Sequence, residues 1–190
     1  PYPIQFDVNI LEAGRMPVVE QITYTNVQQQ MQQSLLLHFP AAAMVECDLT
    51  RLTYDGLLNE NPYELDRQAG LLTLPLNQPL LPGQTLRITL AYNLTLPEGS
   101  GTLTARPADS ALVASDFYAY LAAYDPATEQ WLSQSAQAMV DITANITMPA
   151  DYALANSGMQ SNRATLSTGN LRVLVEDLSS RRFGFATGSD

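Results

Sequence analysis

The chain has 190 residues, of which 46% are hydrophobic, and its 19 acidic residues against nine basic ones give a net charge of -10. A chain of this length buries about 70% of its unfolded surface, so we expect one folded domain spanning residues 1–190. The acidic balance repels phosphate backbones and anionic lipid, which argues against a nucleic-acid or membrane-surface function.

Alternation of apolar and polar residues predicts short β-strands in the first part of the chain. Ile4, Phe6, Val8 and Ile10 share one phase of the first predicted strand, and residues 18–26 predict a second. Residues 28–33 are five glutamines and one methionine without periodicity, which predicts an exposed hairpin connection. Residues 35–39 alternate again and predict the next strand.

Turn residues divide the strands that follow. Residues 49–54 predict a strand that ends at the Asp55-Gly56 dipeptide, a typical hairpin turn. Pro82-Gly83 suits the centre of a type II turn, because proline fixes φ and glycine accepts a positive φ. Residues 86–96 then alternate over their whole length, with leucine, isoleucine and tyrosine in one phase, and predict the longest strand.

The clearest strand in the second half covers residues 140–148. Its apolar phase is Val140, Ile142, Ala144, Ile146 and Met148. Pro149 cannot donate a ladder hydrogen bond, so we expect the strand to end there and a short one to start at Tyr152. Further short runs, which predict an antiparallel meander, cover residues 164–167, 171–176 and 183–187. No segment of ten residues has a convincing helical period, so the pattern predicts an all-β, two-sheet antiparallel β-sandwich.

Several of these segments, in their order along the chain, carry a family resemblance. They are ITYTN (22–26), LLLHFP (35–40), the Asp55-Gly56 turn, PLLPGQTLRITLAYNLTLP (79–97), FYAYLAAYD (117–125) and residues 140–158. Together they resemble the N-terminal β-domain of aminopeptidase N-like zinc metallopeptidases (gluzincins). The resemblance implies a saddle-like β-sandwich that is non-catalytic and packs on a catalytic peptidase domain of the same polypeptide.

The residues of a zinc peptidase site are missing from this sequence. Such a site needs two histidines one helical turn apart, with a glutamate between them that activates the metal-bound water. The chain has a single histidine, His38, and it also lacks the Gly-x-Met-Glu-Asn anchoring motif of the family. We therefore predict no catalytic, cofactor-binding or metal-binding residue and no cofactor in this chain. Zinc is expected only in an absent catalytic domain, and the chain by itself is not expected to be an enzyme.

The sequence carries no strong signal for any other kind of catalytic site. Cys47 is the only cysteine, so no internal disulfide forms, and its strand-like surroundings predict a buried structural thiol. No Gly-x-Ser-x-Gly nucleophile elbow is present. A hydrolase built from carboxylates alone stays a third possibility, because any two of the 19 acids could meet in the fold.

The sequence carries no signal that assigns the chain to one cellular compartment. No run of about 18 apolar residues occurs, so we expect no membrane insertion by this segment. The start PYPIQFDVNI does not have the pattern of a secretory leader, and we expect the chain to be a segment of a longer protein.

The best candidate for a functional surface is the stretch of residues 116–131, called here the aromatic segment. Its rings combine a large apolar area with a polar handle, as at many interfaces. The candidate interface residues are Phe117, Tyr118, Tyr120, Tyr124 and Trp131. The alternative is that most of these rings pack in the core. In the resembling family a Gln or Glu of this region holds the substrate's amino terminus, but residues 118–121 are Tyr-Ala-Tyr-Leu here, so no substrate contact is carried over.

Two function hypotheses follow. The first is the non-catalytic β-domain that packs on a peptidase domain and narrows access to its cleft. The second is a free-standing cell-surface module that binds a ligand or a carbohydrate, with Trp131 and the tyrosines as stacking platforms. The second hypothesis predicts an exposed and roughly coplanar pair of rings.

Overall fold

The computed structural model describes residues 1–12, 14–59, 61–106, 110–134 and 137–189, and in these ranges it is nearly all β. The strands are β1 (Tyr2–Asn9), β2 (Arg15–Thr25), β3 (Gln32–His38), β4 (Glu46–Tyr54), β5 (Leu57–Leu58), β6 (Glu64–Asp66), β7 (Leu71–Leu80), β8 (Thr85–Thr95), β9 (Leu103–Arg106), β10 (Ala111–Ser115), β11 (Tyr120–Leu121), β12 (Ala123–Asp125), β13 (Gln130–Leu132), β14 (Val140–Met148), β15 (Tyr152–Asn156), β16 (Met159–Thr165), β17 (Leu171–Ser180) and β18 (Gly184–Ser189). The one helix in the described ranges, α1 (Pro40–Met44), has five residues. Nothing helical in these ranges has the length and apolar character needed to span a membrane. The predicted all-β class is confirmed.

Eight strands form one large sheet in the order β16-β17-β14-β1-β2-β8-β4-β5. Strands β8 and β14 bury the phases predicted from the sequence, because period-two alternation puts one set of side chains on the core face. All neighbours are antiparallel except β1 and β14, which pair in parallel with Tyr2 opposite Val140. The sheet is therefore mixed at one position, where an antiparallel sandwich was expected.

Two four-stranded sheets face this large sheet, with orders β15-β18-β10-β9 and β11-β3-β7-β6. Contacts across the core join them to it: the Tyr54 hydroxyl of β4 donates to the Pro75 carbonyl of β7 at 3.0 Å. The Phe6 ring of β1 stacks on Phe183, just before β18, with centroids 6.1 Å apart. Buried side chains from these three sheets form one hydrophobic core, which makes the fold a sandwich with a divided second layer, and β12 and β13 pair as a separate two-stranded sheet.

The predicted turns are confirmed. Asp55 and Gly56 have φ values of 49° and 86° and join β4 to β5. Gly83 has a φ of 78°, and the Gln84 amide closes that turn by donating to the Leu81 carbonyl at 3.0 Å. Strand β14 ends immediately before Pro149, as predicted.

Two predicted connections are wrong because alternation defines a strand without defining its partner. The glutamine-rich residues 28–33 do not close a hairpin, since β2 and β3 lie in different sheets. Buried Asn26 shapes this connection by donating to the carbonyls of Gln30 and Leu80, both at 2.9 Å. The predicted C-terminal meander is broken as well, because β16 and β17 pair in the large sheet whereas β18 joins β10 and β15 in a small one.

Candidate interface along the aromatic segment

The aromatic segment divides into an inner half, residues 116–122, and an outer half, residues 123–131. In the inner half, Phe117 is 0% and Tyr118 1% exposed. The Phe117 ring lies 5.4 Å from Phe6 and 5.6 Å from Phe185, measured between centroids. These two rings fill the core between the sheets, so their prediction as interface residues is corrected: neither side chain is accessible to a partner.

A buried carboxylate holds the inner half in place. Glu20 of β2 is 0% exposed, and its Oε2 accepts hydrogen bonds from the Tyr92 hydroxyl at 2.9 Å and the Ala119 amide at 3.0 Å. The Tyr92 hydroxyl also lies 3.3 Å from the Phe117 carbonyl oxygen. Burial raises the pKa of Glu20 to about 8, although both hydrogen bonds favour the charged form. The carboxyl group is thus mostly protonated at neutral pH.

Glu20 is the residue that the sequence reasoning missed. Its signal was present, because Val18, Glu20 and Ile22 share the inward phase of β2. An acidic side chain that points into the core needs hydrogen-bond donors or has to be protonated. Glu20 accepts two hydrogen bonds, and its raised pKa also favours the protonated form. Its second oxygen, Oε1, has no hydrogen-bond partner among the described residues.

Further hydrogen bonds fix the inner half from other sides. The Leu121 amide donates to the Tyr2 hydroxyl at 2.8 Å, and the Ala122 amide donates to the Leu36 carbonyl at 2.9 Å. The Tyr118 hydroxyl accepts from the Phe183 amide at 3.2 Å. Burial raises the pKa of Tyr118 to about 12, so this hydroxyl stays neutral at physiological pH. The inner half, residues 116–122, therefore crosses the core between the two layers as a packed segment, called here the crosspiece.

One ring of the inner half reaches the surface. Tyr120 is partly exposed and stacks on His38 of the paired strand β3, with centroids 5.1 Å apart and planes inclined by 27°. Partial burial lowers the pKa of His38, which favours the neutral imidazole.

The only cysteine, Cys47, is buried, and burial raises the pKa of its thiol to about 11, as is typical of a structural thiol.

The outer half forms the β12–β13 hairpin, with Tyr124 opposite Trp131. Both rings are partly exposed, their centroids are 5.2 Å apart and their planes are inclined by 65°. The Trp131 indole N–H donates to the Ser34 carbonyl of β3 at 3.0 Å. The coplanar ring pair expected for a carbohydrate platform is therefore not formed by these two side chains. With Tyr120 they are the three predicted interface residues that keep exposed surface.

Metal ligands do not converge in the described part of the chain, where no group of three or more His, Cys, Asp or Glu side chains could hold an ion. The described residues form a buried, hydrogen-bonded crosspiece in the core and two small aromatic surfaces.

No protein-family model matches the sequence, and no curated protein is similar enough to match it. Solved structures of zinc peptidases do share its fold. An M1 zinc metallopeptidase from Deinococcus radiodurans, bound to a Tyr-Ser-Ala substrate, superposes with a TM-score of 0.65 and 13% identity over 98% of this chain. A mutant M1 zinc metallopeptidase from Deinococcus radiodurans has a TM-score of 0.64 and 15% identity over 98% of this chain, and a mutant two-domain M1 zinc metallopeptidase bound to L-tryptophan has a TM-score of 0.65 and 14% identity over 97%.

The chain spans 41% of the length of each of these structures. At such identities the match concerns the fold, and at that level the resemblance predicted from the sequence is confirmed. This chain has the all-β fold found in part of the M1 zinc metallopeptidases.

Proposed function

We propose that the chain is a non-catalytic β-domain that packs on the catalytic domain of a zinc aminopeptidase in the same polypeptide and shapes the approach to its cleft. The observation that carries this proposal is the fold match over 98% of the chain but only 41% of the peptidase. The part of the peptidase left uncovered is long enough for a separate catalytic domain.

The proposed mechanism is steric. A domain that limits access has to keep its shape under contact, and the crosspiece supports this because Glu20, Tyr92 and Tyr2 fix its backbone from the large sheet. Tyr120, beside His38 at the end of β3, is the ring that the crosspiece places at the surface. We propose this patch as the contact with the catalytic domain.

No bond-making role is assigned to the chain itself. With one histidine in the whole sequence, it cannot supply the paired imidazoles of the peptidase zinc site. In the proposal, zinc belongs to the catalytic domain.

Activity measurements test the proposal directly. The purified 190-residue chain, supplied with zinc, is expected to release no product from a panel of aminoacyl fluorogenic substrates and to retain no stoichiometric metal. The full polypeptide from which the chain is taken is expected to carry a His-Glu-x-x-His helix and to cleave the same panel. Peptide cleavage by the 190-residue chain, or a full polypeptide without that helix, would overturn the proposal.

The contact patch is tested within the full polypeptide. Tyr120→Ala is expected to change kcat/KM for long peptides more than for dipeptide analogues, because it alters access and leaves the zinc site intact. Val113→Ala, on a different sheet and partly exposed, serves as the control. Equal effects on long and short substrates would contradict the assignment of Tyr120.

A further inference from the structure

An open groove lies between the glutamine-rich connection and the β12–β13 hairpin, at the opposite end of β3 from Tyr120. It has a volume of about 610 Å³. Its lining combines aromatic, amide and carboxylate groups, which include the side chains of Gln30, Gln32, Tyr124, Glu129 and Trp131. Arginine is absent from this lining, and the chain contains no lysine.

The two rings of the groove make a corner instead of a flat platform. Tyr124 and Trp131 are inclined by 65° with centroids 5.2 Å apart, and the edge contact of Tyr24 on Trp131 at 6.2 Å supports the corner from the core side. The contact between Tyr124 and Trp131 is edge-on, and a cation placed over the face of either ring is attracted by the negative quadrupole of that face.

A carboxylate stands beside this corner. Glu129 is exposed at the end of the hairpin turn, and its Oε1 lies 3.4 Å from Gln30 Nε2. Its backbone φ of 56° is in the left-handed region, which non-glycine residues enter at a cost in free energy. The other acid of the hairpin, Asp125, is already used, since it accepts from the Ala127 amide and the Thr128 hydroxyl at 2.9 and 2.8 Å. Glu129 is thus the carboxylate that the turn directs to the groove.

Two glutamine atoms at the groove lack hydrogen-bond partners among the described residues: the acceptor Gln30 Oε1 and the donor Gln32 Nε2. Gln32 is only 4% exposed, and neither atom is in contact with solvent. A buried polar group without a partner opposes folding, so a ligand that satisfies it gains the corresponding free energy. Both glutamines belong to the lining of the groove.

We propose that this groove binds a cationic side chain, lysine or arginine, presented by a peptide segment. The cation lies in the Tyr124–Trp131 corner and pairs with Glu129 and Gln30 Oε1. A backbone carbonyl of the same peptide accepts from Gln32 Nε2. An anionic ligand is opposed by Glu129 and by the net charge of -10. This inference does not depend on the proposed peptidase context.

The chain carries its own reporter, because Trp131 is its only tryptophan. Tripeptides acetyl-Gly-Lys-Gly-amide and acetyl-Gly-Arg-Gly-amide are titrated against the chain while Trp131 fluorescence and its indole N–H resonance are followed. Blocking both ends confines the charge to the side chain. We expect a saturable change for both peptides, weakened by added salt, and no saturable change for acetyl-Gly-Gln-Gly-amide.

Variants locate the site. Glu129→Gln keeps the shape and removes the charge, and it is expected to weaken binding of the cationic peptides about fivefold. Glu64→Gln, an exposed acid of β6 in the same sheet as β3, is the matched control and should leave binding unchanged. Gln32→Leu should also weaken binding while the far-ultraviolet circular dichroism stays that of the parent chain.

Three results would overturn the proposal: no saturable response to either cationic peptide, an equal response to the glutamine peptide, or undiminished binding by folded Glu129→Gln.

Discussion

Both halves of the aromatic segment carry aromatic rings, but these rings lie in opposite environments. The inner half runs through the core, with Phe117 and Tyr118 essentially inaccessible, whereas the outer half folds back on itself as a hairpin with Tyr124 and Trp131 partly exposed. The difference comes from their backbone partners. Both halves bond to β3, but the inner half also bonds to Glu20 and Tyr2 of the large sheet, whereas the other bonds of the outer half are mainly within its own hairpin.

Ring content alone therefore does not define an interface in this chain. The buried Glu20 carboxyl group accepts hydrogen bonds from the Tyr92 hydroxyl and the Ala119 amide and so holds the inner half in the core, whereas the outer half forms a surface. Substitutions in the two halves should therefore change the free energy of unfolding by very different amounts.

The largest effect is expected for Phe117→Ala. The Phe117 ring contacts Phe6, Tyr118, Phe183 and Phe185, and its loss leaves a cavity at the centre of the core. We expect the free energy of unfolding to fall by about 3–5 kcal/mol. Urea denaturation followed by circular dichroism measures it. A loss below about 1 kcal/mol would show that the inner half is not an integral part of the core.

The second effect is a pH dependence that comes from Glu20, the carboxyl group bound to the inner half. The pKa of Glu20 is raised from 4.5 to about 8 in the folded chain, so the folded state binds the proton more tightly than the unfolded state. The stabilisation by this proton is complete below about pH 4.5 and is lost as the pH rises toward 8, by at most about 1.4 kcal/mol per pH unit.

Glu20→Gln serves as the comparison, because it cannot titrate. Its free energy of unfolding should fall less steeply than that of the parent chain between about pH 5 and pH 8. Nearby Cys47 and Tyr118, with pKa values of about 11 and 12, stay protonated in this window, as do Tyr2 and Tyr92, whose pKa values burial also raises. Parallel curves for the two proteins would refute the role given to Glu20.

A smaller effect is expected from Tyr92→Phe, which keeps the ring and removes the hydroxyl. Glu20 Oε2 then retains only the Ala119 amide as donor, and the Phe117 carbonyl loses its contact with the hydroxyl. We expect a loss of about 1–3 kcal/mol, measured by urea denaturation at pH 7. Tyr63→Phe, on a partly exposed loop ring, is the matched control and should change stability by less than about 0.5 kcal/mol.

Much of the fold followed from the sequence because its strongest signals are local. Alternation in β8 and β14, the stop at Pro149 and the Asp55-Gly56 turn depend on a few neighbouring residues. Sheet membership depends on contacts between distant residues, and so the partners of β3 and β18 could not be read from their own patterns.

The division of the aromatic segment was out of reach for a related reason. Consecutive residues of a strand point to opposite faces, so a strand would bury only one of Phe117 and Tyr118. Both are buried because residues 116–119 are not a strand and cross the core in an irregular conformation. Glu20 could have been recognised from its phase in β2. Its hydrogen-bond donors, however, lie 72 and 99 positions away along the chain, so they could not be read from its neighbours.

The smallest effect is expected in the outer half, with Tyr124→Ala. The Tyr124 ring is partly exposed, and among the described residues its ring contact is the edge contact with Trp131, so its removal should cost about 1 kcal/mol or less in the free energy of unfolding. The same substitution should shift the wavelength of Trp131 fluorescence emission, because it uncovers one side of the indole. For Phe117→Ala, the main change is expected in the free energy of unfolding. If Tyr124→Ala destabilises the chain as much as Phe117→Ala, the two halves form one structural unit, and the hairpin is not an independent surface.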